Sequence, residues 1–254
     1  MSHNWKDADG DLADLHVLVA GAAALGLVLD GEQVERFARY RDLLLDWNTR
    51  LNLTAVTDPA AVATRHFLDS LTCLLGVPAE WCGSELRLVD VGSGAGFPGL
   101  PIALALPWWH VTLLEATSKK VRFLEAVIRE LGLANVQTVT GRAEELAHDS
   151  AYRGAYDVVT ARAVATLPTL LEYCVPFARL GGRLILPKKG DLAAELTAGE
   201  RAAPHLGVHL LDAVLVTVPA LDDGRVLLLA DQERACPPSY PRAAGAPVKR
   251  PLGS

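Results

Sequence analysis

The chain is short of the features that would send it out of the cell, into a membrane or onto a metal. Its four cysteines, Cys73, Cys82, Cys174 and Cys236, form no C-x-x-C pair and have no ligand spacing, so they read as buried free thiols in a reducing compartment. The first residues, Met-Ser-His-Asn-Trp-Lys-Asp-Ala-Asp-Gly-Asp, are acidic where a secretory signal is basic. Long apolar runs are missing as well. Val17 to Leu29 is uncharged but falls short of the roughly 20 residues a membrane helix needs and is broken by Gly21 and Gly26. Val91 to Leu114 is also uncharged, but its glycines, its prolines and the polar Ser93, His110 and Thr112 divide it into a loop, a short buried helix and a strand. These absences imply a cytoplasmic protein. There is no basic excess either: 24 Lys and Arg stand against 30 Asp and Glu, a net charge of −6, which argues against a generally basic nucleic-acid binder. The acid is unevenly placed, however. Residues 1 to 35 carry Asp7, Asp9, Asp11, Asp14, Asp30, Glu32 and Glu35 against Lys6 alone, which leaves the remainder neutral and free to present local basic clusters to an anionic partner.

What the chain does have is a glycine turn behind a buried strand. Residues 88 to 99 read Leu-Val-Asp-Val-Gly-Ser-Gly-Ala-Gly-Phe-Pro-Gly, and Glu115 stands at the end of the next apolar run. Gly92, Gly94 and Gly96 let the backbone turn sharply and approach a ligand more closely than a Cβ would permit. A dinucleotide fingerprint is G-x-G-x-x-G/A, whose last small residue packs a helix close to the pyrophosphate. Here Phe97 holds that place. The G-x-G-x-G spacing suits a ligand without a pyrophosphate and resembles the first motif of S-adenosylmethionine-dependent methyltransferases. Glu115 fits either cofactor, because both carry a ribose diol.

Residues 12 to 78 have helical spacing. In Gln33 to Trp47, Val34, Phe37, Ala38, Leu44, Leu45 and Trp47 fall near one face and Glu35, Arg36, Arg39, Arg41 and Asp42 on the other. A polar connection, Asn48 to Pro59, precedes a second helical stretch over 60–75. From residue 86 strands and helices alternate: strands are expected at 86–91, 110–115, 136–140, 155–161, 181–187, 208–218 and 224–230, with helices near 99–106, 118–132, 166–178 and 191–200. This rhythm predicts an α/β, Rossmann-like fold: a mostly parallel seven-stranded sheet with an antiparallel edge strand, and ligands at the carboxyl ends of the strands. The expected organisation is an N-terminal helical extension over 1–80 whose first residues are disordered, a methyltransferase domain over 81–235, and a basic, irregular C-terminal tail over 236–254.

Several separated segments resemble one family, the bacterial small-subunit ribosomal RNA guanine-N7 methyltransferases known as RsmG or GidB. They are Leu51-Asn52-Leu53-Thr54-Ala55-Val56-Thr57-Asp58-Pro59, Arg65-His66-Phe67-Leu68-Asp69-Ser70-Leu71, residues 90–99, Gly141-Arg142-Ala143-Glu144-Glu145, Ala161-Arg162-Ala163 and Tyr240-Pro241-Arg242. The resemblance spans roughly residues 32 to 251. Two places depart from the family's commonest pattern: Ala243 stands where the tail often has lysine, and Pro187-Lys188-Lys189-Gly190 replaces apolar-apolar-Lys-Gly, with Lys189 the aligned lysine. The resemblance implies that S-adenosylmethionine is held by Gly92, Gly94, Gly96 and Phe97, by Glu115, Ala116 and Thr117, by Ala143 and Glu144, and by Arg162. It implies an RNA-facing set of Asn52, Arg65, His66, Lys188, Lys189 and Arg242, no metal, and a monomer that meets 16S ribosomal RNA or the small ribosomal subunit.

Each residue also has an ordinary structural reading. Glu144 suits the first turn of a short helix, Arg162 a salt bridge at a strand end, Asn52 a hydrogen bond across the helix connection, and the lysines a solvated rim. The chemistry implied by the resemblance needs no catalytic base, since guanine N7 carries a lone pair and no proton, so no catalytic residue is assigned. After the fourth strand Ala161-Arg162-Ala163-Val164 stands where enzymes acting on exocyclic amines carry Asn-Pro-Pro-Tyr or Asp-Pro-Pro-Tyr, and no cysteine signature for carbon-5 chemistry is present. The expected function is methyl transfer to N7 of one guanine in 16S ribosomal RNA. A small-molecule methyltransferase and a cofactor- or RNA-binding protein without turnover are the alternatives.

Overall fold

The computed structural model describes residues 13–81, 83–162 and 165–253. The disorder expected of the first residues and the Cys82 thiol lie outside them.

The N-terminal part is helical, as its periodicity predicts. Helix α1 (His16–Ala24) leads to α2 (Gly31–Leu51), which starts at a capping box: Asp30 accepts from the Gln33 amide at 2.8 Å and the Gln33 side chain accepts from the Asp30 amide at 2.9 Å. A cap of this kind is worth about 1 kcal/mol. The Gln33 side-chain amide also donates to the carbonyls of Leu104 and Ala105, so the box that starts the helix docks it on the sheet domain. Helix α3 (Pro59–Val62) begins at Asp58, whose carboxylate accepts from the Ala61 amide, and runs on through a π-helical turn, Ala63–Leu68, into α4 (Asp69–Leu71). The wider π turn carries Arg65 and His66.

Among the described residues the sheet has eight strands: β1 (Arg87–Val91), β2 (His110–Glu115), β3 (Val136–Thr140), β4 (Tyr156–Thr160), β5 (Ala178–Lys189), β6 (Val208–Leu210), β7 (Val214–Leu215) and β8 (Arg225–Gln232). Their order is β3-β2-β1-β4-β5-β8-β6, with β7 also pairing to β8. The five strands from β3 to β5 pair in parallel; β8 runs antiparallel to β5 and to β6 and β7. Helices α5 (Gly99–Ala105), α6 (Ser118–Leu131), α7 (Ala143–Leu146), α8 (Leu167–Cys174) and α9 (Ala193–Leu206) connect them, and α10 (Ala246–Lys249) lies in the tail. The antiparallel strand is one place in from the edge, and the single strand expected over 208–218 is two short ones. Leu210 is level with Ala230, the Leu211 amide bonds the Leu229 carbonyl, and Val214 is level with Leu227, so Asp212 and Ala213 face Leu228 together. That extra residue is a bulge that interrupts the ladder.

Two apolar layers cover the sheet. One joins Leu88, Leu113, Val158 and Ile185 to Leu15, Leu18, Phe37, Tyr40 and Phe67 of the N-terminal helices; the other joins Val89, Val159 and Leu184 to Leu170, Phe177, Ala202 and Leu206. Cys73 and Cys174 are buried free thiols, while Cys236 is half-buried. Apart from α10 the described tail is irregular, but it is tied to the sheet domain. The Arg153 guanidinium donates to the carbonyls of Ala147, Cys236, Pro237 and Tyr240, and a ring nitrogen of His148 bonds the Pro241 carbonyl. Proline and glycine content reads as loop, and in that loop the carbonyls of Cys236, Pro237 and Tyr240, left free of any ladder, are collected by one planar arginine. Among the described residues no helix is long and apolar enough to cross a membrane.

Candidate active site

The chain leaves β1 into the glycine turn with Gly92, Gly94 and Gly96 all at left-handed φ, +75°, +60° and +95°. The amides of Gly92 and Ser93 donate to the Leu114 carbonyl at 2.8 and 3.0 Å, which pins the turn to the end of β2. At Gly96 a Cβ would lie 2.4 Å from Leu100 Cδ1 and 2.7 Å from the Tyr40 hydroxyl, so packing and φ both require glycine. At Gly94 the nearest atom would be 3.9 Å away. This part of the turn faces open space, the kind of close backbone approach that a ligand uses.

Glu115 closes the turn. It is 6% exposed; Oε2 accepts from the Gly94 amide at 2.9 Å and Oε1 from the Thr117 amide at 2.7 Å, while Ala116 and Thr117 are exposed beside it. Behind the turn lies Asp90, which sequence reasoning passed over as part of the strand. It is fully buried, Oδ2 accepts from the Gly99 amide at 3.0 Å and Oδ1 has no partner among the described residues; burial pushes its carboxyl up to about 7 against the opposing pull of the Gly99 amide and Arg162. After β3, Ala143 and Glu144 are buried in the first turn of α7, and a Glu144 carboxylate oxygen accepts from the Gly245 amide of the tail at 3.2 Å. Burial, with Glu144 beside it, raises the Tyr173 hydroxyl to about 12.

Phe97 is the centre of an aromatic group. Tyr40 stacks on it at 5.6 Å, His66 at 4.5 Å with 21° between planes, and the Arg162 guanidinium lies 4.9 Å from its centroid. The Tyr40 hydroxyl donates to the Ala95 carbonyl, so a residue of the N-terminal helices braces the glycine turn. Arg162 Nη1 pairs with Asp69 Oδ2 at 2.8 Å and Nη2 lies 3.3 Å from His66 Nδ1; the strand-end salt bridge and a place at the Phe97 rim belong to the same guanidinium. His66 Nε2 bonds Thr54 Oγ1 at 2.7 Å. Arginine has only donors, so its contact assigns the Nε2–H form of the imidazole, although Nδ1 is also 3.1 Å from the Arg65 carbonyl. Burial first and Arg162 second lower His66 to about 4, which keeps the ring neutral at pH 7.

The candidate RNA-facing residues separate. Arg65 is exposed on the π turn, and its guanidinium has no partner among the described residues. Asn52 is exposed and caps α2 in the left-handed region at φ +48°; the bonds across the helix connection are made by Asn48, to the carbonyl and amide of Thr54, both at 2.9 Å. Lys188 is half-buried: its ammonium donates to the Ala165 carbonyl at 2.7 Å and pairs with Glu195. Lys189 is the exposed one, paired with Asp223 at 2.5 Å. Arg242 is bound to Glu172, donating through Nε at 2.9 Å and Nη2 at 2.6 Å to a carboxylate with no exposure. Among the described residues no cluster of histidine, cysteine or acid is placed to hold a metal.

A family model described as rRNA small subunit methyltransferase G matches residues 33–220. The chain belongs to this family. Among methyltransferase G relatives, the Roseiflexus sp. (strain RS-1) protein is 44% identical over 238 residues, covering 94% of this chain and 100% of the relative. The Desulfitobacterium hafniense protein is 42% identical, covering 90% of this chain and 93% of the relative. A solved structure of a SAM-dependent methyltransferase from Aquifex aeolicus superposes with a TM-score of 0.51 at 16% identity over 71% of this chain and 97% of its own, a likeness of fold. Methyltransferase G is thus a methyltransferase family on a Rossmann-like sheet, as the order of strands and the glycine turn predict.

Proposed function

We propose that this methyltransferase G member transfers a methyl group from S-adenosylmethionine to N7 of one guanine in 16S ribosomal RNA, acting as a monomer in the cytoplasm. The observation that carries the cofactor reading is the glycine turn with its carboxylate: an open backbone at Gly94, three left-handed glycines, and a nearly buried Glu115 at the adjacent strand end. Those features fit a nucleoside with a ribose diol and no pyrophosphate. Gly92, Gly94, Gly96 and Phe97 would border it on one side, Glu115, Ala116 and Thr117 at the second strand end, and Ala143, Glu144 and Arg162 at the third and fourth. The bound cofactor supplies an electrophilic methyl group on a sulfonium.

The protein's own task is then alignment. Guanine N7 has a lone pair and no proton, so no side chain needs to accept one; rate comes from holding the nucleophile in line at near-attack distance in a site that excludes water. The neutral His66 ring suits this, because an imidazolium stacked on Phe97 would repel a purine that becomes cationic as it is methylated. Arg65 is an exposed cation available to RNA phosphates, and so is Lys189, whose partner Asp223 is itself exposed and can give way to a phosphate. Lys188 and Arg242 take no part in this proposal, since Glu195 and Glu172 occupy them. The test is incubation with methyl-labelled S-adenosylmethionine and separate pools of 16S RNA, 23S RNA, tRNA, protein and small metabolites. Label is expected in 16S RNA alone; label in a metabolite, or cofactor binding with no transfer to any pool, refutes the proposal.

A further inference from the structure

Asp69 draws its partners from distant parts of the chain. It opens α4 with a side chain only 8% exposed, and its two oxygens are divided: Oδ2 accepts from Arg162 at 2.8 Å and Oδ1 from Arg225 at 2.5 Å, partners 93 and 156 residues along the sequence. Arg162 follows β4 and Arg225 begins β8. One carboxylate therefore ties the N-terminal helical run to two strand ends of the sheet.

Stability alone is a poor reason for such a group. Taking three charges out of water is costly, and well-packed apolar side chains of similar volume commonly hold a fold as well or better. Placement is what the group provides. A guanidinium is planar with donors in fixed directions, so tying Nη1 to Asp69 fixes where the other face of Arg162 goes: Nη2 against His66 Nδ1 at 3.3 Å and the guanidinium carbon 4.9 Å from the Phe97 centroid. The other arm leads outward. Arg225 Nε donates to Asp223 Oδ1 at 2.8 Å, and Asp223 Oδ2 accepts from the exposed Lys189 at 2.5 Å. The continuous chain Lys189–Asp223–Arg225–Asp69–Arg162 runs from a surface cation to the ring at the glycine turn.

We propose that Asp69 is a positioning residue for methyl transfer: it holds the Arg162 guanidinium against Phe97 and His66 and links that guanidinium to the rim that carries Lys189. The inference rests on the reading that Arg162 and Phe97 border the cofactor.

Asp69→Asn keeps the size of the side chain and removes its charge, leaving one acceptor for two arginines. Calorimetry with S-adenosylhomocysteine on the folded variant is expected to show affinity reduced about tenfold or more although residue 69 is not among those proposed to border the cofactor. Single-turnover methyl transfer at saturating RNA and cofactor should fall as well. Arg162→Lys should weaken binding comparably, and Asp69→Asn combined with Arg162→Lys should lose no more than the worse single variant, because both remove the same placement. Additive losses overturn the proposal, as does parent-like affinity in folded Asp69→Asn while Arg162→Lys is impaired. Parent-like affinity in Arg162→Lys instead removes Arg162 from the cofactor rim, and with it the reading beneath the proposal. Asp69→Glu covers the case in which the asparagine variant does not fold. It keeps the charge but moves the carboxylate by one methylene, and is expected to bind S-adenosylhomocysteine several-fold more weakly at a melting temperature near the parent's; equal affinity shows that placement by Asp69 does not matter.

Discussion

Replacing Glu115 by alanine removes two contacts at once. Its carboxylate accepts from the Gly94 amide at 2.9 Å and the Thr117 amide at 2.7 Å, and each hydrogen bond to a charged acceptor contributes about 1.5 to 3 kcal/mol net. Because Ala116 and Thr117 are exposed, water reaches the truncated site and the low end of that range applies to the loss of order in the turn. Cofactor binding suffers twice, through a less ordered Gly94 backbone and through the missing acceptor for the ribose. The expected loss is about 1 to 3 kcal/mol, or roughly 5- to 150-fold in Kd. Titration calorimetry with S-adenosylhomocysteine reads it, with circular dichroism to show that the variant is folded. Glu115→Gln sharpens the test. An amide can accept from one of the two N–H groups while turning its own N–H toward the other, so it should bind nearly as weakly as alanine. A folded Glu115→Ala or Glu115→Gln variant with the parent's affinity would refute the assignment of Glu115 to the site.

The two lysines should part company. Lys188→Ala leaves Glu195 with the Leu167 amide but no charge partner and should lower the melting temperature without changing the salt dependence of RNA binding, whereas Lys189→Ala should leave melting alone and reduce the slope of log K against log salt by about one phosphate contact; the opposite split would give the phosphate role to Lys188. Arg242→Ala leaves the fully buried Glu172 with the amide of residue 242 but without its charge partner and should cost about 3 kcal/mol in urea unfolding, while an RNA-binding defect at unchanged stability would contradict a structural role for Arg242. Asp90 sets a stability trend: with its folded carboxyl at about 7 against 3.8 in the unfolded chain, the native state binds more protons between those values, so its contribution is present at low pH and is lost as pH rises through that window. Asp90→Asn should therefore gain on the parent between pH 4 and 7 by up to about 1.4 kcal/mol per pH unit, and parallel stability curves would place Asp90 in the ordinary range. His66 titrates at about 4, so His66→Asn should alter RNA binding more than the single-turnover rate; a limb between pH 6.5 and 8.5 that vanishes in this variant would make His66 an acid or base.

The elements built from uninterrupted apolar runs were readable in the chain. β2 falls at 110–115 as expected, because a strand buried on both faces needs a continuous apolar run between turn residues; β3, also at its expected 136–140, is the half-exposed edge strand, where valine and threonine favour extended backbone. The glycine turn was equally plain, since left-handed backbone at alternate positions leaves glycine as the natural choice. What escaped depends on partners far along the chain. Nothing near Asp69 announces two arginines, and in a run of helical residues it reads as a polar position on an exposed face. Adjacent Lys188 and Lys189 look alike until the strand pleat sends one toward Glu195 and the other to the surface. Asn52 suits a bond across the helix connection by its place in the sequence, but it sits in the left-handed cap and Asn48, one helical turn earlier, makes that bond. The tail misled for a related reason: its composition carries no sign of the Arg153 guanidinium that gathers its carbonyls, and Arg242 looked like a free cation with Glu172 70 residues away.

The position of the transferred methyl on RNA tests the central claim most directly. Small-subunit RNA methylated by the purified protein should, after borohydride reduction and aniline treatment, break at a single guanine, because only an N7-methylated purine is opened by that chemistry, and RNA incubated without S-adenosylmethionine should stay intact at that position. Label fixed on the RNA with no such cleavage, or cleavage scattered over many guanines, would contradict the account: the first places the methyl on another atom, and the second denies the site its selectivity.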